Sequence, residues 1–125
     1  MISHAPAGSR CPFCRNVREG TSDFPLEVLH RDDDVFVKMN PSWWPRNPGS
    51  VLVIPIEHHE NLYDLPPRLA EPIQRAARSA ALAMKQAYGC EGTSTRQHNA
   101  PAGNQDVWHF HLHVFPRWEG DGLYG

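Results

Sequence analysis

His109-Phe110-His111-Leu112-His113-Val114-Phe115 alternates imidazole and apolar side chains. Neighbouring side chains on a strand point to opposite faces. The run therefore predicts Trp108, Phe110, Leu112 and Val114 on a core face and His109, His111 and His113 on the other. Imidazoles make a poor sheet surface, since they lack β-branched packing and repel one another when protonated. The pattern points to a metal site or to catalysis on an anion. In the catalytic reading His111 attacks phosphorus as a neutral imidazole. Its flanking histidines and the groups of Gly103, Asn104 and Gln105 in the Ala100–Asp106 loop then hold the developing negative charge. In the metal reading His109, His111 and His113 ligate zinc, leaving a fourth position for activated water. The triplet alone leaves both open, beside the plain reading of an exposed polar strand face.

The 125 residues suit one domain, with Met1–Arg10 as a flexible lead and residues 11–125 as the folded body. A net charge of −2 gives no broad basic field, which disfavours a nucleic-acid polymer as partner but allows a nucleotide-sized ligand. No apolar run reaches the length of a membrane span and the first ten residues lack a signal-like core, so a cytoplasmic location without a membrane partner is expected. Leu26–His30 and Val35–Met39 read as a hairpin about a solvated acidic turn at Arg31–Asp34. Asn40–Ser50, with Pro41, Pro45, Pro48 and Gly49, reads as a projecting loop. Val51–Ile54 is a buried strand stopped by Pro55. Leu69, Ile73, Ala76, Ala80, Met84 and Ala87 recur at helical spacing, predicting one long helix with its first regular turn near Pro72 and a left-handed stop at Gly89. Thr93–Asn99 should pair antiparallel with the histidine strand. Strands, one helix, then strands argue for an α+β fold with a mainly antiparallel sheet.

Three cysteines, Cys11, Cys14 and Cys90, do not form a secreted disulfide framework. Cys11-Pro12-Phe13-Cys14 at a chain turn is half of a tetrahedral zinc site, or else an empty or redox pair. If the remaining ligands are histidines, His58 or His59 and His109 are the candidates. Such a metal would be structural and would leave His111 and His113 free. His4, His30 and His98 have no evident partner and read as surface residues. Trp43, Trp44 and Trp118 suit a dimer edge, a cover for a base, or the core.

The H-φ-H-φ-H-φ-φ run resembles the signature of the histidine triad (HIT) family of nucleotide hydrolases and transferases. Cys11-Pro12-Phe13-Cys14 is similar to that family's N-terminal C-x-F-C, Val51–His58 to its V-L-V-I-P-x-x-H strand, and Gln105 to the glutamine that precedes the triad. The likeness runs from Cys11 to Pro116-Arg117. It implies a HIT-like fold, a five-stranded mainly antiparallel sheet with one long helix, dimerising through the sheet and helix. It also implies cleavage of a phosphoanhydride or phosphoramidate bond at an α-phosphate through a covalent nucleotidyl-histidine. By this resemblance His111 is the nucleophile, and His113 meets the phosphate and leaving group. Asn99 and Gln105 serve the phosphate site, Asn40 the ribose, and Phe13 lies near the base. Cys11, Cys14, His58 and His109 are the implied zinc ligands. A zinc hydrolase using all three triad histidines and a non-catalytic nucleotide-binding protein are the alternatives. Asp106, where serine or threonine is common, would either repel a polyphosphate or orient a histidine. Ser50 and the long Ser42–Asn47 loop are further departures. Leaving group and base preference depend on loop shape around Asn40–Asn47 and on the tail after Arg117.

Overall fold

Pairing in the computed structural model, which describes residues 3–19, 28–40 and 44–124, builds one sheet. Its strands are β1 (Val28–Arg31), β2 (Val35–Met39), β3 (Val51–Pro55), β4 (Gly92–Arg96) and β5 (Leu112–Arg117), ordered β1-β2-β3-β5-β4. Every neighbouring pair is antiparallel, as expected. Leu26 and Glu27 of the expected hairpin, and Pro41, Ser42 and Trp43 of the loop, lie outside the described residues. The acidic turn does more than meet solvent. Asp32 Oδ1 accepts from the N–H groups of Asp34 and Val35 at 2.8 and 2.9 Å, and His30 Nε2 stands 2.9 Å from Asp32 Oδ2. His30 and those two amides hold the Asp32 carboxyl down at about 2.

The long helix, α2 (Ala70–Tyr88), begins two residues before Pro72, after a short 3-10 turn at Pro67–Leu69. A proline in the first turn loses nothing, because that N–H has no partner inside the helix. Gly89 closes the helix at φ 63°, as predicted, and its N–H donates to the Lys85 carbonyl. Ile73, Ala77 and Met84 pack on Val35, Val37, Val51, Val53 and Val114. Phe36, Leu52 and Ile54 point the other way and meet Phe13. Burial on both faces explains the uninterrupted apolar run of β3.

Phe13 comes from a helix that sequence reading takes for a turn, α1 (Pro12–Glu19). The Cys11 sulfur caps its start, accepting from the Cys14 N–H at 3.3 Å, and Pro12 occupies the first helical position. Phe13 and Val17, four residues apart, form its buried stripe.

The histidine run needs one correction. β5 starts only at Leu112, so of the triad His113 alone lies in regular strand, while His109 and His111 approach in irregular chain. Pairing with β3 covers Leu112 to Val114, and upstream the Phe110 N–H donates instead to the His59 carbonyl at 2.7 Å. The alternation survives this change. Phe110, Leu112 and Val114 join the α2 core, while His113 stacks on Phe115 on the opposite face. Trp108 leaves the pattern and lies near the His4 ring.

Residues near both ends of the described chain are hydrogen-bonded. Ser3 Oγ and the His4 N–H donate to Glu60. Asp121 accepts from Asn47 Nδ2 at 2.8 Å, from Arg117 Nε at 2.7 Å and Nη2 at 2.8 Å, and from the Trp118 and Leu123 N–H groups. The Arg117 fork above all holds the Asp121 carboxyl well below the usual carboxylate range. Among the described residues no helix is long and apolar enough to cross a membrane.

Ile73 is 5% exposed between α2 and the sheet. Ile73→Ala is expected to lower the unfolding free energy in urea by roughly 2–5 kcal/mol. An unchanged midpoint would mean that this contact does not hold the helix down.

Candidate functional site

Three separate segments meet on the face opposite α2. The start of α1 brings Cys11 and Cys14, the chain leaving β3 brings His58, and the approach to β5 brings His109. Their ligating atoms all lie within 4.8 Å of one another. His109 Nδ1 is 3.2 Å from Cys11 Sγ, 3.5 Å from Cys14 Sγ and 3.0 Å from His58 Nδ1, which is itself 3.2 Å from Cys14 Sγ. Tetrahedral zinc with N and S ligands sets its donors roughly 3.3–3.8 Å apart, a few tenths of an ångström wider. The two thiols and two imidazoles fit such an ion.

The surroundings favour this use. His109 is fully buried, and its Nε2–H donates to the Pro55 carbonyl at 2.8 Å, which leaves the Nδ1 lone pair facing the sulfurs. Burial holds the His109 imidazole down at about 4, so it is neutral at pH 7. Burial, then the adjacent Cys11, pushes the Cys14 thiol up to about 11. Both sulfurs bind a metal as thiolates, so an ion held here would bring the Cys14 thiol back down. His59, the rival ligand, points elsewhere, with Nε2 3.3 Å from Glu57 and Nδ1 3.8 Å from Asp64.

The triad is thus divided. His109 belongs to the cysteine cluster, while His111 and His113 lie side by side with ring centroids 5.1 Å apart. The three nitrogens do not converge on one point, against the reading of a zinc hydrolase built on all three. Nor do the three share an open face, since His111 is only 7% exposed and Phe13 packs edge-on against both His109 and His111. His111 Nδ1–H donates to the His109 carbonyl at 2.7 Å. Its lone pair therefore sits on Nε2, which is 3.8 Å from Asp106 Oδ1. Burial lowers the His111 imidazole below its ordinary value and takes His113 to about 4, where the neighbouring His111 and His98 add to the effect. The pair can take up negative charge without a basic run.

Other expected residues are placed less directly. Gln105 is 6% exposed and saturated: Nε2 donates to the Glu60 and Val107 carbonyls, and Oε1 accepts from Ala100 N–H and Asn61 Nδ2. It braces the loop instead of offering an amide to phosphate. The N–H groups of Gly103, Asn104 and Gln105 are engaged too, closing a turn onto the Ala100 and Pro101 carbonyls. Asn99 Oδ1 accepts from Leu62 N–H and Gln97 Nε2, and its Nδ2 makes no hydrogen bond among the described residues. Asn40 is buried where β2 ends. Asp106 faces the lone-pair nitrogen of His111, not the one that sets its orientation, so it does not hold that ring.

Two features escape sequence reading. His98 is half-buried, its ring 6.1 Å from that of His113 and its Nδ1–H held by the Gly103 carbonyl at 2.7 Å. Arg96 lies across the β4–β5 pair from His113, with its guanidinium over Phe115, Trp44 and Tyr124. Only the strand register brings these residues to the triad.

Comparison with known proteins agrees with this geometry. The model of the HIT domain family matches residues 22–120. An uncharacterised HIT-like protein of Methanocaldococcus jannaschii is 31% identical over 90% of this chain and 82% of its own. The adenosine 5'-monophosphoramidase of Saccharomyces cerevisiae is 27% identical over 98% of this chain and 73% of its own. The crystal structure of a zinc-bound histidine triad family protein from Mycobacterium smegmatis superposes with a TM-score of 0.78 at 29% identity, covering 90% of this chain and 78% of that one.

Proposed function

The chain belongs to the HIT domain family, the histidine triad proteins, and from this we propose that it is a nucleotide hydrolase or nucleotidyl transferase that cleaves a phosphoanhydride or phosphoramidate bond at an α-phosphate. The observation that carries the reading is the tautomer of His111. With Nδ1–H fixed on the His109 carbonyl at 2.7 Å, Nε2 is an oriented neutral nucleophile at the edge of the ring that faces Asp106. Nε2 attacks the α-phosphorus in line with the leaving group, and the Nδ1–H bond to the carbonyl strengthens as the ring becomes cationic. Water or another acceptor then takes the nucleotidyl group. His113 meets the phosphate and leaving group, and the Nδ2 group of Asn99 serves a non-bridging oxygen. Asn40 continues the alternation of Phe36 and Lys38 onto the site face and meets the ribose. Phe13, buried against both imidazoles, holds the nucleophile's ring while its edge borders the nucleoside pocket.

Cys11, Cys14, His58 and His109 would hold zinc, which supplies a cross-link among α1, the end of β3 and the triad segment. The chain's own part is the backbone of His109, which orients His111. We assign the outer edge of β4 to a homodimer contact that continues the sheet, since an edge strand with open N–H and C=O groups is a ready template for pairing. The free thiols Cys11, Cys14 and Cys90 suit a reducing, cytoplasmic setting.

His111→Ala is expected to reduce turnover of adenylated substrates roughly 10³-fold or more, while the chain stays folded and keeps its zinc content. Mass spectrometry of quenched wild type should find the nucleotidyl mass on the His111 peptide; bound nucleotide with no adduct would leave only a binding protein. Zinc measured by elemental analysis should fall from about one ion per chain to near zero in Cys14→Ser, together with a lower melting temperature. Zinc retained in full would move the metal to other ligands.

A further inference from the structure

Asp106 is 84% exposed, yet its carboxylate oxygen lies 3.8 Å from His111 Nε2, a nitrogen with no other partner among the described residues. A negative charge beside an attacking nucleophile that takes anionic substrates calls for a reason. It is not an orienting group, because the orienting bond of the ring is already made at Nδ1. It faces the His111 imidazolium that forms on attack, but that cation forms alike with every leaving group. The guanidinium of Arg96 is turned toward Phe115, Trp44 and Tyr124, and its charge bears on His113 rather than on His111. What remains for Asp106 to meet is the substrate around the reacting phosphorus.

Leaving atoms differ in the charge they develop. In a phosphoramidate the departing nitrogen gains a proton and becomes positive, and its N–H is a donor that a carboxylate accepts. In a phosphoanhydride or phosphate ester the departing oxygen becomes negative and offers only lone pairs. A fixed negative charge therefore lowers the first barrier and raises the second.

Resting on His111 as nucleophile, we infer that Asp106 is a specificity-determining residue that selects phosphoramidates, substrates with an amine leaving group, over substrates whose leaving atom is oxygen. The step balances without a further reagent. A proton from the solvent around the exposed Asp106 adds to the bridging nitrogen. The Nε2–P bond forms and the P–N bond breaks with its electron pair on nitrogen. The amine departs carrying its own hydrogen and the added one. Asp106 accepts a hydrogen bond from that nitrogen throughout, and the imidazole keeps its Nδ1–H.

The test uses the full zinc-loaded chain and two probes of equal size, the anilide and the phenyl ester of adenosine 5'-monophosphate. These differ only in NH against O at the leaving atom. Both give the same adenylyl-His111, so rapid-quench kinetics separates its formation, which depends on the leaving group, from its hydrolysis, which does not. Asp106→Asn should slow adduct formation from the anilide on the order of tenfold and speed it from the phenyl ester, with the hydrolysis step unchanged. Asp106→Ala should shift the ratio in the same direction. Equal changes for both probes, or none, would overturn the selection while the adduct itself upholds the role of His111. Absence of adduct from either probe in the wild type would end both.

Discussion

His109 is held at both ends of its ring and also by what its main chain does. Nε2–H is fixed on the Pro55 carbonyl, Nδ1 faces two sulfurs and a second imidazole, and its carbonyl takes the Nδ1–H of His111. Side chain and backbone of one buried residue thus join the metal-capable cluster to the oriented imidazole of His111. Moving the ring would shift the carbonyl, and His111 would lose the bond that defines its tautomer. Pro55 ends β3 and α1 carries the thiols, so the placement of three segments converges on this residue.

Electrostatically the site works by withholding charge rather than supplying it. The imidazoles are desolvated, which keeps them neutral. Neutral nitrogen is what attack on phosphorus needs. A protonated imidazole would bind an anion well and react with it poorly. Arg96, shielded by three aromatic rings, adds positive charge beside His113.

Much of this was legible in the chain because it depends on local period or local chemistry. The histidine alternation, the apolar stripe of α2, the Gly89 stop and the antiparallel order of strands all follow from neighbours a few positions apart. The paired thiols were legible as metal-site residues for the same reason. What stayed hidden depends on distance. α1 is too short to show periodicity, and its cap is a sulfur rather than the usual hydroxyl or carboxylate. The late start of β5 reflects β3 parting from it after Val53, a property of two strands and not of either. Gln105 reads as a donor in isolation, and only the folded loop reveals four partners that occupy it. His98 and Arg96 gain meaning from register alone.

The knot at Asp121 has a bearing on the order in which the chain acquires its shape. Asn47 leads into β3, at the centre of the sheet, yet its side chain is pinned by groups 69 and 74 positions later, the Pro116 carbonyl and the Asp121 carboxylate. During synthesis these bonds can form only once residue 121 has left the ribosome. Until then the segment before β3 stays without its anchor, while the β2–β3 hairpin beside it can already close. The emergence of residues 116–121 is thus what pins the entry to β3, long after β3 itself has been made.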